Sequence, residues 1–313
     1  MPGRRDFIGA FTGIASSFIF PVSLHGIYSK TDKKFSQKVG FKYCLNTSTI
    51  QGQKLTLWEN IDIAGNAGYD GVELWMEDIK KYLNQGGNKY DLKNKLNDLG
   101  LSFENTIAFP KWIVNEPSVR NKALDKFKND LELLSFLGCK RIAAPPSGAT
   151  RGDKLDLFKV AERYKSILEI GDNYGVFPVL EIWGHSANLH ALGQALFVIT
   201  ECKHPKACFL PDVYHLYRGG SEFNGLKYLT GEAVSMFHIN DYPSISDRGE
   251  LTDKDRVYPG DGIAPMKKII QELKRINPGM VLSLELFNPV YWKKDALHVA
   301  KTGLQKMKEV AYI

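Results

Sequence analysis

The chain has 313 residues, of which 43% are hydrophobic and 24% charged, and a formal net charge of +6. That composition is ordinary for a soluble globular protein, and the length suits either two average domains or one large barrel. Basic and acidic residues are interspersed with no long Lys/Arg block, so charge leaves no nucleic-acid footprint.

The first 24 residues stand apart. Arg4-Arg5 precedes an uncharged run from Phe7 to Leu24 that is rich in Gly, Ala and Ser. A twin-arginine pair before a moderately apolar run resembles a Tat export signal, which implies a periplasmic protein. A buried N-terminal helix or an uncleaved anchor of borderline length is the competing reading, and without a signal the protein would be cytoplasmic. The run holds neither a clean A-x-A cleavage site nor a cysteine for a lipid anchor. Residues 25–38 are polar and Lys-rich and read as a linker. The expected organisation is therefore a signal and linker over residues 1–38 and one domain over residues 39–313.

Beyond residue 39, short β-branched or aromatic runs alternate with longer amphipathic stretches. The expected strands are Phe41–Leu45, Gly71–Trp75, Ser102–Ile107, Arg141–Ala144, Pro178–Ile182, Ala207–Asp212, Ser235–Ile239 and Val281–Leu286. Helical periodicity is clear in Asp125–Leu137, where Phe127, Leu131, Leu134 and Leu137 recur at spacings of three and four, and again in Asp156–Tyr174 and Gly262–Ile276. Gly68-Tyr69-Asp70-Gly71 and Leu137-Gly138-Cys139 supply turns from helix to strand. Strands separated by roughly thirty to fifty residues have the rhythm of an α/β protein of the (β/α)8 TIM-barrel type. An open doubly wound sheet usually carries a glycine-rich phosphate loop after its first strand, and Cys44-Leu45-Asn46-Thr47-Ser48 has none. Cys44 and Cys139 fall in apolar strands as small core residues, while Cys202 and Cys208 are near enough in sequence for a disulfide in an oxidising compartment.

Barrel proteins place their chemistry at the C-terminal ends of strands. Four successive strands end there in a metal-ligand side chain: Glu181, Asp212, His238 and Glu285. Neighbouring strands lie about 4.8 Å apart, so four such side chains can converge on one ion. Any one of them alone reads more naturally as a salt-bridge partner; four in register do not. Three carboxylates and an imidazole make a hard, oxygen-rich set suited to Mn²⁺ first, with Mg²⁺, Co²⁺ or Zn²⁺ accepted.

The segments Leu180-Glu181, Leu210-Pro211-Asp212-Val213-Tyr214-His215, Phe237-His238-Ile239-Asn240-Asp241 and Ser283-Leu284-Glu285 resemble the xylose isomerase-like barrel superfamily. Within it they are similar to the sugar phosphate isomerase/epimerase branch, which includes ketose 3-epimerases and inosose dehydratases. The resemblance implies that Glu181, Asp212, His238 and Glu285 hold one divalent metal ion, and that Glu181 and Glu285 also act as acid and base on the α-proton of a ketose or keto-sugar. It further implies substrate contacts from His215 and from an arginine in the loop after strand seven, Arg256 or alternatively Arg248. Return of the proton to the other face epimerises, return to a neighbouring carbon isomerises, and loss of a β-hydroxyl dehydrates. A metal-dependent isomerase or epimerase is the first expectation and a dehydratase of a cyclic keto-polyol the second.

Glu73, Trp75, Asn105, Trp112, Trp183, His185 and Asn188 are placed by the same strand ends near the mouth. Trp112 and Trp183 are candidate sugar-ring contacts, with rim or core packing as the plainer alternative for Trp75 and Trp112. Glu73 is a candidate substrate contact or an inward-facing partner of the metal ligands. Tyr291-Trp292 would cap the site or sit at a subunit contact, and a homo-oligomer is expected by analogy alone. A trinuclear-zinc abasic-site endonuclease of the same superfamily needs further histidines from the early strands, and no His lies between His25 and His185. A non-catalytic sugar-binding barrel is disfavoured by the intact ligand set. The expected partner is a small carbohydrate, without nucleic acid or a stable membrane association.

Overall fold

The computed structural model describes residues 40–312, so the signal and linker expected over residues 1–38 lie outside the described residues. In chain order the elements are β1 (Lys42–Asn46), α1 (Leu57–Ala67), β2 (Gly71–Trp75), α2 (Met76–Asn84), α3 (Lys89–Asp98), β3 (Ser102–Ile107), α4 (Pro117–Leu137), β4 (Arg141–Ala144), α5 (Leu157–Asp172), β5 (Phe177–Glu181), α6 (Leu192–Glu201), β6 (Phe209–Leu210), α7 (Val213–Arg218), β7 (Met236–Ile239), α8 (Met266–Ile276), β8 (Val281–Leu284) and α9 (Ala296–Ala311). The strands form one eight-stranded parallel sheet in the order β6-β5-β4-β3-β2-β1-β8-β7. Between β6 and β7 the link is a single parallel bridge from Asp212 to His238, with His238 N–H donating to the Pro211 carbonyl at 2.9 Å. The sheet thus comes nearly closed into a TIM barrel surrounded by helices, and two candidate site residues make the last contact.

Local sequence explains the punctuation. Thr56 and Glu59 form a reciprocal capping box at the start of α1. Gly68 and Gly138 terminate α1 and α4 at φ of 87° and 81°, a left-handed conformation that a Cβ disfavours. The expected strands Gly71–Trp75, Ser102–Ile107 and Arg141–Ala144 form with those bounds. The sixth strand is a correction: against an expected Ala207–Asp212, only Phe209–Leu210 forms a continuous strand, and Asp212 adds one isolated bridge. Pro211 has no N–H to give a ladder, and Asp212 turns into the N-cap of α7, its side chain accepting from His215 N–H. The Cys202–Cys208 disulfide is also corrected, since both thiols are free.

Two apolar layers follow from the period of two along each strand. Leu180, Phe237, Leu282 and Leu284 face outward into the large core beneath the helices. Cys44, Val179, Leu210, Met236 and Val281 pack against one another inside the barrel as a separate plug. Two residues further along the chain, the same inward face carries Asn46, Glu181, Asp212, His238 and Ser283, and Glu285 follows Ser283 by another two. The polar ring therefore sits directly above an apolar floor. Towards the N-terminal end Arg141 donates to Glu104 at 2.9 Å and to Ser235 Oγ at 3.0 Å. Among the described residues no helix is long and apolar enough to cross a membrane.

Candidate metal centre

Asp212, His238 and Glu285 are buried and each offers a ligand atom within 4.8 Å of the others. Asp212 uses one oxygen to accept the His215 N–H at 2.8 Å, which leaves Oδ2 for Asn240 Nδ2 and Arg256 Nη1, both at 2.9 Å. Glu285 accepts from Asn46 Nδ2 at 3.0 Å through Oε1 and from Arg256 Nη1 at 2.7 Å through Oε2. His238 Nε2 bonds Glu73 at 3.0 Å. Its Nδ1 faces Glu285 Oε2 at 3.1 Å and Asp212 Oδ2 at 3.7 Å, an ion-pair contact without a well-aligned hydrogen bond.

A buried, orphaned imidazole nitrogen aimed between two carboxylates is the arrangement a divalent ion would satisfy, so these residues fit such an ion. The electrostatics agree. Burial and the neighbouring Glu285 push the Glu181 carboxyl up to about 8. Burial raises Asp212 to about 6 despite the Arg256 guanidinium. Burial alone would discharge His238, but Glu285 and Glu73 hold it well above the usual imidazole range. Glu285 is itself lowered, because His238 and Arg256 outweigh its burial. The site gathers more carboxylate than its own cations neutralise comfortably.

Glu181 stands outside the tight trio. Its Oε1 accepts from Trp183 Nε1 at 3.2 Å, and it lines a cavity of about 260 Å³ together with Trp75, Phe109, Trp183, His185, His215, Arg256, Glu285 and Phe287. Aromatic rings form the walls: Trp75 meets Phe109 edge-on at 5.5 Å and Phe287 at 6.2 Å, and Phe109 meets Trp183 at 5.8 Å. Among the described residues Arg256 is the one arginine or lysine on the lining, and its charge is already engaged by Asp212, Glu285 and Asp253. Its Nη2 also faces His215 Nε2 at 3.0 Å, and burial together with Arg256 pulls His215 down to about 3, so that imidazole is neutral. Arg248 lies elsewhere, 3.9 Å from the exposed Glu222.

Several mouth expectations change. Trp112 is fully buried, donates Nε1–H to the Pro145 carbonyl at 2.8 Å and packs beside Tyr164, so it is a core residue and no sugar contact. Glu73 is fully buried beneath His238 and is likewise out of a substrate's reach. Asn105 is sealed in with Glu73, while Asn188 donates to the Ala149 and Asp153 carbonyls and braces a loop. Tyr291 stacks on Tyr258 at 4.2 Å and Trp292 donates to Ser48 O, both within this chain. Asn46, Asn240, Asp253, Phe109 and Phe287 are not singled out by the sequence; Asn46 follows an apolar strand run just as the four ligand candidates do, which is the available signal.

The fold and this cluster define a TIM-barrel protein with a candidate metal centre at its C-terminal mouth. Residues 61–310 match the xylose isomerase-like TIM barrel family, and the chain belongs to it. It is 27% identical over 277 residues to the inosose isomerase of Bacillus velezensis, covering 86% of this chain and 96% of that protein. The solved structure of the IolI protein with a bound zinc atom superposes with a TM-score of 0.79 at 25% identity, over 86% of this chain and 98% of that one. A 3-dehydroshikimate dehydratase of Pseudomonas putida is 23% identical over 260 residues, which is 80% of this chain but 39% of that larger protein.

Proposed function

We propose that the chain is a divalent-metal-dependent isomerase or epimerase of a ketose or cyclic keto-polyol. The observation that carries this is the buried Asp212–His238–Glu285 cluster, with its orphaned imidazole nitrogen, beneath an aromatic cavity that also holds Glu181. Asp212, His238 and Glu285 would hold the ion, with Glu181 as the fourth ligand; Mn²⁺ suits this oxygen-rich set best. When bound, the ion supplies a Lewis acid that draws electron density from a substrate carbonyl and so acidifies the neighbouring C–H. Glu181 and Glu285 take that proton and return it, as carboxylates that both reach the cavity. His215 and Arg256 orient the substrate's oxygens, and Trp75, Trp183 and Phe287 cover its C–H face. Arg256, the cation that the described residues place on the lining, is already paired with carboxylates, which favours a neutral sugar over a phosphorylated one. We further propose, from Arg4-Arg5 and the run after it, that the protein is exported.

The test is incubation of Mn²⁺-loaded protein with a panel of ketoses and cyclic ketones in D2O, read by NMR after removal of the metal. Deuterium should enter the carbon next to the carbonyl, and chelation should stop it. Water loss in place of exchange would instead make the chain a dehydratase, the activity named for the Pseudomonas relative. Exchange that persists under chelation would overturn the metal role.

A further inference from the structure

Glu73 is the most heavily bonded carboxylate within the barrel mouth. Its Oε1 accepts from Asn105 Nδ2 at 2.6 Å, and its Oε2 from Asn46 Nδ2 at 2.9 Å and Ser283 Oγ at 2.7 Å. His238 Nε2 lies 3.0 and 3.1 Å from the two oxygens. A carboxylate offers about four acceptor positions, and here they meet donors from β1, β3, β7 and β8. Two consequences follow. Glu73 has no lone pair left to ligate an ion or touch substrate, consistent with its complete burial. Its oxygens, already met by three other donors, call for a hydrogen on His238 Nε2, so that when the ring gives up a proton on ion binding the nitrogen set free is Nδ1, which faces Asp212 and Glu285.

We infer that Glu73 is the positioning residue of the metal centre: it fixes the proton on His238 Nε2 and so makes Nδ1 the ligating atom. The inference rests on the proposed function for the ion, though not for the hydrogen bond. Asn46 extends the device, because the same amide that donates to Glu73 donates to Glu285 Oε1 at 3.0 Å. One asparagine thus ties the support of the histidine ligand to a carboxylate ligand. Carboxylate partners of metal-bound histidines raise ligand basicity and fix ring orientation, and their loss typically weakens metal binding about 10- to 100-fold.

The experiment compares Zn²⁺ affinity, by chelator competition, of the wild-type chain, Glu73→Gln and a control. Glu104→Gln is the control: an equally buried glutamate, bonded to Arg141 instead of the site. Alongside, ¹⁵N NMR of the imidazoles, assigned with His238→Asn, reads which nitrogen carries hydrogen in metal-free and zinc-loaded wild type. The expected result is a 10- to 100-fold weaker zinc affinity in Glu73→Gln, none in Glu104→Gln, and a wild-type His238 with hydrogen on Nε2 and zinc on Nδ1. Zinc on Nε2, or undiminished affinity in Glu73→Gln, overturns the inference while leaving the proposed function intact. If Glu73→Gln does not fold, the wild-type spectrum decides alone. A wild type that takes up no zinc sinks the proposed function; the role of Glu73 in orienting His238 is then upheld if the His238 Nε2 signal moves in Glu73→Gln and overturned if it does not.

Discussion

Replacing Glu181 by Gln should weigh on proton transfer more than on ion binding. The side chain keeps its volume, and the Gln carbonyl can still accept from Trp183 Nε1, the partner of Glu181 at 3.2 Å. Asp212, His238 and Glu285 stay in place, because Glu181 makes no hydrogen bond with any of them and stands outside their cluster. What disappears is a titratable oxygen facing the cavity. A positioned acid or base contributes about 10²- to 10⁴-fold, or about 3 to 5 kcal/mol of barrier, so kcat should fall by that factor. Glu285→Gln should differ, since Glu285 belongs to the trio and anchors Asn46 and Arg256. It should lose metal affinity as well as kcat, and more affinity than Glu181→Gln does. Stability gives a second reading. The Glu181 carboxyl is raised from 4.5 to about 8 by burial and Glu285, so between those values the native state holds a proton that the unfolded chain has released. Metal-free wild type should therefore lose stability as pH rises through that window, and Glu181→Gln should lose less. The assays are steady-state kinetics, metal titration and urea unfolding at several pH values. Wild-type kcat in Glu181→Gln, or metal loss as severe as in Glu285→Gln, would refute the reasoning.

Glu104 provides an acid-stability test away from the site. Although burial opposes it, hydrogen bonds from Ser102 and the Arg141 charge hold its pKa below 4.5, so its contribution is present above that value and lost as pH falls through the lower, native one. Glu104→Gln should be less stable at neutral pH by urea unfolding and should show a shallower loss on acidification. Gly303→Ala in α9 places a Cβ 2.2 Å from Leu284 Cδ2, just before Glu285. Overpacking costs about 1 to 3 kcal/mol, against a helix-propensity gain of about 1, so calorimetry should register unchanged to lower stability. Asp241 accepts backbone N–H bonds from Tyr242, Gly260 and Ala264 and so folds the loop that carries Arg256. Asp241→Ala should destabilise the chain by at least about 1 to 3 kcal/mol and raise KM, read by unfolding and kinetics.

Much of the barrel was legible because its strands are short apolar runs closed by turn residues. Gly138 illustrates this: the glycine that ends α4 is needed for its φ of 81°, and it was visible in Leu137-Gly138-Cys139. The sixth strand was not, since Asp212 serves at once as helix cap and strand end, and apolar continuity through Pro211 hid the break. Ligand-type residues were legible for a related reason: alternation puts every second residue on the inner face, so a charged residue closing an apolar run there is conspicuous. Asn46 and Ser283 are as central to the site yet chemically bland, and their partners lie far along the chain, 27 residues for Asn46 to Glu73 and 210 for Ser283 to Glu73. Trp112 shows the opposite failure. An aromatic after β3 suits a rim, but its N–H found the Pro145 carbonyl and its ring the core.

A crystal soaked with Zn²⁺ at its absorption edge tests the metal centre most directly. An anomalous peak is expected about 2.0 to 2.2 Å from His238 Nδ1 and from carboxylate oxygens of Asp212 and Glu285. A fully zinc-loaded crystal whose peak lies elsewhere, with Arg256 Nη1 still bridging Asp212 and Glu285, would contradict it.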